Sequence, residues 1–118
     1  MRFIQQQGFT VKAGRVHAFQ EWVSHNEERW VRSYPEGTTL LGVYVAVFSS
    51  EKKAGTYFGL EQVDSYAALD RLAAAGKDPQ SEYSKVLAEF MQFVEFGPTV
   101  PASKVLLKAV SDATVYQP

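Results

Sequence analysis

The stretch WVSHNEERW, Trp22 to Trp30, holds a run of polar side chains between two tryptophans. Glu27, inside it, is the residue with the chemistry to carry a proton: a carboxyl in apolar surroundings has its pKa raised by desolvation and can give or accept a proton near neutrality. With Val16 as origin and about 100° per residue, Phe19, Val23, Trp30 and Tyr34 fall within about 60° of it and form the expected core stripe of a helix. Glu27 falls at about 20°, Gln20 at about 40°, and Asn26 at about 80° on the opposite flank. Glu27 is therefore the expected catalytic group, with Gln20 and Asn26 orienting a ligand carbonyl or hydroxyl. The plainer alternative pairs Glu27 with a buried arginine, or lets its flexible stem reach the rim of the core. Either way it needs a partner, because an unpaired buried charge costs several kcal/mol.

Trp30, Phe19 and Tyr34 are expected to line a small, mostly apolar pocket with the helix that follows Pro79. Tyr44 and Tyr57 add phenolic hydroxyls if their strand faces point toward the helices, and a shift of one residue in register reverses that. Gln5 and Gln7 share an alternating face with Phe3 and Phe9. They line the pocket if that face meets the helices, bond across a dimer if it meets a partner sheet, or are solvated at an edge.

His17, Glu21, His25, Glu28 and Arg32 cluster between about 100° and 180°, the solvent side of the same helix. The two histidines stand two turns apart, about 12 Å along the axis, too far to hold one ion together. No H-E-x-x-H sequence occurs, and neither histidine is expected in the pocket to serve as a haem ligand. Neither a metal nor a cofactor is expected. GTYFG, Gly55 to Gly59, lacks the helix and lysine of a phosphate loop, so its glycines relieve packing or mark a bulge. A serine nucleophile elbow is also missing.

These residues need elements to position them. The 118 residues suit one domain, 1–118, and at that length roughly two thirds of the unfolded surface can be buried. Twelve basic and thirteen acidic residues, spread along the chain, leave no basic stripe for nucleic acid. The sequence contains no cysteine, which fits a reducing, cytoplasmic setting, and no apolar run approaches a membrane span. Arg2 to Val11 reads as a strand and Arg15 to about Tyr34 as a helix, ended by Pro35 and Gly37. TTLLGVYVAVF and TYFGLEQV form a hairpin across the turn SSEKKAG. Asp64 or Ser65 caps the short helix YAALDRLAAAG, which Gly76 ends; Asp78-Pro79 then restarts the chain in a second helix, broken at FGPTVP. SKVLLKAVSDATVY, residues 103–116, is the last strand.

The order is strand, helix, strand, strand, helix pair, strand: an α+β, ferredoxin-like βαββαβ pattern with the second helix split in two and helices on one face of an antiparallel sheet. The hairpin is apolar on both alternating sets, Leu41, Val43, Val45 and Val47 on one and Leu40, Tyr44, Ala46 and Phe48 on the other. A sheet buried on both sides follows, and a second copy of the chain is the simplest cover.

This element order, the run VKAGRVHAF leading into the first helix, the LLGVY strand and the long terminal strand resemble the dimeric α/β-barrel superfamily, and more loosely its NIPSNAP-like branch. The resemblance implies a homodimer packed through the sheet faces, with a small apolar or aromatic ligand held between sheet and helices. Members include cofactor-independent oxygenases, isomerases and cyclases, haem-handling proteins, and proteins without known activity. The leading expectation is acid/base handling of a small aromatic or polyketide-like compound; the alternative is a non-catalytic ligand-binding or structural dimer module.

Overall fold

A computed structural model of the chain describes residues 2–50, 55–98, 100 and 103–111. β1 (Phe3–Phe9) leads to α1 (Val16–Ser33), the hairpin β2 (Thr38–Val45) and β3 (Tyr57–Val63), the helices α2 (Tyr66–Lys77) and α3 (Glu82–Met91), and β4 (Ser103–Lys108). The four strands form one antiparallel sheet in the order β2-β3-β1-β4, the ferredoxin-like arrangement expected from the element order. β4 pairs with β1 of its own chain, placing Leu106 opposite Gln5 and Lys104 opposite Gln7. Residues 112–116 of the expected last strand lie outside the described residues, as do residues 51–54 of the hairpin turn and Thr99 and Pro101 of the FGPTVP break.

Cross-strand partners point to the same side of a sheet, so the register defines its two faces. Toward the helices stand Phe3, Gln5, Gln7 and Phe9 of β1, with Val63, Glu61, Gly59 and Tyr57 opposite them on β3. A bulge at Leu41 shifts the β2 pairing between Leu40 and Gly42. Leu40 therefore joins Val43 and Val45 on the helix face instead of sharing a side with Tyr44, as strict alternation predicts; one inserted residue reverses the parity of everything beyond it. The opposite face carries Ile4, Phe58, Leu60, Tyr44, Val105 and Leu107 and has no covering element among the described residues. Tyr44 is 53% exposed there.

The helix caps follow local chemistry. Ser65 Oγ accepts the Ala68 amide at 3.1 Å and starts α2. Ser81 Oγ accepts the Ser84 amide at 3.0 Å and starts α3 three residues after Asp78, which instead ends α2 and accepts the Gln80 amide. Gly76 does not end α2; it lies within its last turn, close against the ring of Tyr83. Two clusters make up the core. Phe3, Val63 and Ala68 pack under α2, while Phe9, Phe19, Trp30, Phe90 and Phe93 pack under α1 and α3. Full burial of a side chain of this size is worth about 1.5–3 kcal/mol. After α3 the chain returns to the sheet: the Lys12 amide donates to the Phe93 carbonyl at 2.8 Å and the Glu95 amide to the Thr10 carbonyl at 2.9 Å. Val94 and Glu95 are thereby held beside the end of β1. Among the described residues no helix is long and apolar enough to cross a membrane.

Candidate functional site

A cavity of about 500 Å³ lies between the helix face of the sheet and the α1–α3 pair. Its size falls within the range of small-molecule sites, and its walls are chiefly apolar. Trp30 comes from the last turn of α1 and Tyr34 from the extended residue that caps it, Tyr83, Leu87 and Phe90 from α3, and Gln7, Leu40, Gly59 and Glu61 from the sheet. The aromatic rings pack edge to face or tilted. Trp30 meets Trp22 at 5.4 Å and Phe90 at 5.0 Å, and Tyr34 meets Tyr83 at 5.0 Å.

The buried carboxyl on the wall of this space is that of Glu61, 4% exposed on the central strand β3; Lys104 and Glu95 also line it. Gln7 Nε2 donates to its Oε1 at 2.9 Å, while Oε2 is shut off from solvent without a partner. Burial pushes its pKa above the ordinary carboxylate range, opposed by the Gln7 hydrogen bond, the nearby charge of Lys104 and a contact with Gln5. Burial, reinforced by the charge of Glu61, raises the Tyr34 hydroxyl far above its usual value and the Tyr83 hydroxyl to about 12. Both phenols therefore stay protonated at neutral pH and serve as donors, not bases. Trp30 is 4% exposed, and its Nε1 is a second buried polar atom without a partner. Unpaired buried groups of this kind each cost about 1–3 kcal/mol.

The residues expected from sequence divide. Trp30 and Tyr34 line the cavity. Phe19 is buried just beyond it, edge-on to Phe9 at 5.8 Å and to Tyr57 at 5.5 Å. Tyr57 does face the helices, but it stacks on Phe9 and accepts a 3.5 Å hydrogen bond from Gln20 Nε2, so both belong to the flank of the core and not to the cavity wall. Tyr44 points from the opposite face of the sheet, away from the helices. Asn26 is half-buried at the α1–α3 contact, donating to the Trp22 carbonyl at 2.9 Å and accepting from Arg29 at 3.3 Å. Glu27 is exposed and does not line the cavity. The displacement has a simple cause: Val16 is itself 41% exposed, so an origin placed there turns the stripe by about 80°. The face that meets α3 runs through Phe19, Trp22, Asn26, Arg29 and Trp30. Arg29, not Glu27, makes the polar contact on it, donating to Glu89 at 2.6 and 3.1 Å and to Glu82 at 2.8 Å. Trp22 Nε1 adds a 3.1 Å bond to Glu89. The two histidines are on the solvent side, His17 bridging to Glu21 Oε1 at 3.1 Å and His25 Nδ1 lying 2.7 Å from the Glu21 carbonyl.

Glu61 escaped the sequence reading, although β3 does carry a signal. Tyr57, Gly59, Glu61 and Val63 alternate on one face, and both glycine and glutamate are disfavoured in a central strand. The face shared by Gln5 and Gln7 does meet the helices; Gln7 lines the cavity, while Gln5 is buried without lining it. Gly59 does not mark the bulge, which lies at Leu41, nor does it relieve a close contact.

No protein-family model matches the chain, and no curated protein matches it. Solved structures do. An uncharacterised NIPSNAP-like domain protein from Burkholderia xenovorans superimposes with a TM-score of 0.68 at 11% identity, over 99% of this chain and 92% of that one. A NIPSNAP family protein from Agrobacterium tumefaciens gives 0.64 at 9% identity, over 94% and 88% of the two chains. A candidate antibiotic biosynthesis monooxygenase from Nitrosomonas europaea gives 0.57 at 15% identity, over 92% and 99%. The chain thus has the ferredoxin-like fold of the NIPSNAP and monooxygenase-type α/β-barrel proteins, as the order of its elements leads one to expect.

Proposed function

We propose that the cavity binds a small, largely apolar molecule bearing a neutral oxygen function, and that Glu61 gives or takes a proton on it without a cofactor. The observation that carries this is the Glu61 carboxyl, held by Gln7 through one oxygen and left without a partner at the other, in a space of ligand size. Trp30 Nε1–H is a donor only, so a ligand carbonyl or phenol oxygen suits it. A carboxyl whose pKa burial raises toward neutrality is suited to general acid/base work. This supports the type of chemistry that isomerases, cyclases and cofactor-free oxygenases share. The fold in common with a candidate monooxygenase supports the same class.

The proton-carrying role expected of Glu27 passes to Glu61, because Glu27 is exposed and does not line the cavity. A purely structural module is disfavoured, since side chains do not fill the space between helices and sheet. The proposal includes a homodimer formed through the outer sheet face, where Tyr44, Val105 and Leu107 are half-exposed beside Phe58 and Leu60. A cytoplasmic setting belongs to the same reading.

The test is exchange of the benzylic α-protons of a ring-fused ketone, 2-tetralone, followed by NMR in deuterated buffer. Wild type should accelerate exchange over buffer, Glu61→Gln should abolish the acceleration while still binding the ketone, and Glu27→Gln should match wild type. Equal acceleration by Glu61→Gln and wild type would remove Glu61 from the proposal.

A further inference from the structure

Among the eight glycines of the chain, Gly59 alone combines an ordinary φ with open space where a side chain would stand. Gly14, Gly37, Gly42, Gly55 and Gly97 occupy positive φ, where other residues are strained. A Cβ on Gly8 would come within 2.5 Å of Ser103 Oγ, and one on Gly76 would rest against Tyr83. On Gly59 it would meet nothing within 4 Å. Neither the backbone nor the packing asks for glycine there, and in the interior of a central strand glycine lowers stability.

The position of this gap matters. Gly59 stands opposite Gln7 on β1 and Val43 on β2, one step along the helix face of β3 from Glu61, and it lines the cavity. We infer that Gly59 is the specificity-determining position of the site: its missing side chain is the seat of the ligand's apolar body, and it limits the size of molecule that can lie against β3 with its oxygen at Glu61. The inference rests on the ligand-binding reading above. It adds a pose to that reading, with the oxygen function at Glu61 and Trp30 and the apolar body over the bare backbone of β3.

The experiment uses Gly59→Ala, Gly59→Val and Gly59→Leu in the full chain, with 4-alkylphenols from 4-methyl to 4-hexyl as probes at pH 7. At that pH free phenols are neutral. Binding is read from tryptophan emission, because Trp30 lines the cavity, and thermal unfolding is measured at matched protein concentration. Wild type should bind longer phenols progressively more tightly. Each larger side chain should end the series at a shorter phenol, with Gly59→Leu losing at least ~10-fold, about 1.4 kcal/mol, for 4-hexylphenol and less than ~3-fold for 4-methylphenol. The Tm should rise from wild type to Ala to Val, by about 4 °C or more at Val, as open space is filled and β-branching is added.

An unchanged length cut-off in variants that still bind would overturn the inference and leave the ligand-binding reading standing. Failure of wild type to bind any phenol would remove that reading for phenols. The Tm series would then decide whether Gly59 holds the space open: a rise with side-chain size supports it, and a fall overturns it.

Discussion

The layer between helices and sheet has two halves that solve the same packing problem differently. Under α2, Phe3, Val63 and Ala68 close on one another, and the ring of Tyr66 lies over Phe3 at 4.8 Å. Ala68 is small enough for helix and sheet to approach closely. Under α1 and α3 the helices carry large aromatics that meet one another, Trp30 on Phe90 and Tyr34 on Tyr83, while the sheet below presents Gly59 and Glu61. Rings that span the helix pair do not descend to a strand that offers no side chain. The difference teaches that the cavity goes with a mismatch between bulky residues above and a bare position below, so close packing and open space fall in separate halves of one core.

The largest expected effect tests the packed half. Phe3→Ala should cost about 3–5 kcal/mol in equilibrium denaturation, since close-packed surroundings relax little around a removed ring. Leu87→Ala, on the cavity side and only half-buried, should cost about 2 kcal/mol or less. Equal losses at the two sites would break the distinction between the halves.

Next is the pH dependence of the cavity half. Because burial raises Glu61, the native protein keeps a proton that the unfolded chain has released above its ordinary value near 4.5. The stabilisation of the protonated form is therefore full below that value and is lost as pH rises toward the native one. Urea unfolding from pH 4 to pH 8 should show wild type losing stability relative to Glu61→Gln across this window; parallel curves would mean that Glu61 is not held at a cost. The smallest effect is at the exposed rim of the helix pair. Arg29→Ala should cost about 1 kcal/mol or less, since its ion pairs with Glu82 and Glu89 are partly solvated. Glu27→Gln should stay within about 0.5 kcal/mol of wild type.

Elements that depend on neighbours in the chain were legible in the sequence. Helix periodicity, β-rich runs, the Ser65 cap and the Pro35-Gly37 stop are local, and their order alone gives the ferredoxin-like topology. Trp30 was legible as a cavity residue because it lies near the true contact face of α1 under either choice of origin, while Tyr34 lines the cavity from the extended residue that follows the helix. Glu27 was misplaced because periodicity defines the width of an apolar stripe but not its absolute direction when its first apolar residue is at the rim. Packing against α3 through Trp22, Arg29 and Trp30, and against the sheet through Phe19, orients α1. Glu61 was missed because a carboxyl in a strand looks like a solvent-facing residue until its register is known.

By itself, then, the sequence determined the kinds of elements, their order and the fold class, through interactions that reach only a few residues along the chain. The tertiary structure decided which carboxyl is buried, which tyrosine points where, and where space remains. Those outcomes rest on the rotation of α1, the bulge at Leu41 and the pairing of Gln7 with Gly59 and of Gln5 with Glu61, all contacts between distant parts of the chain. Their physical reason is parity: in a sheet one residue of register separates the inside from the outside, and only the partner strand supplies the count.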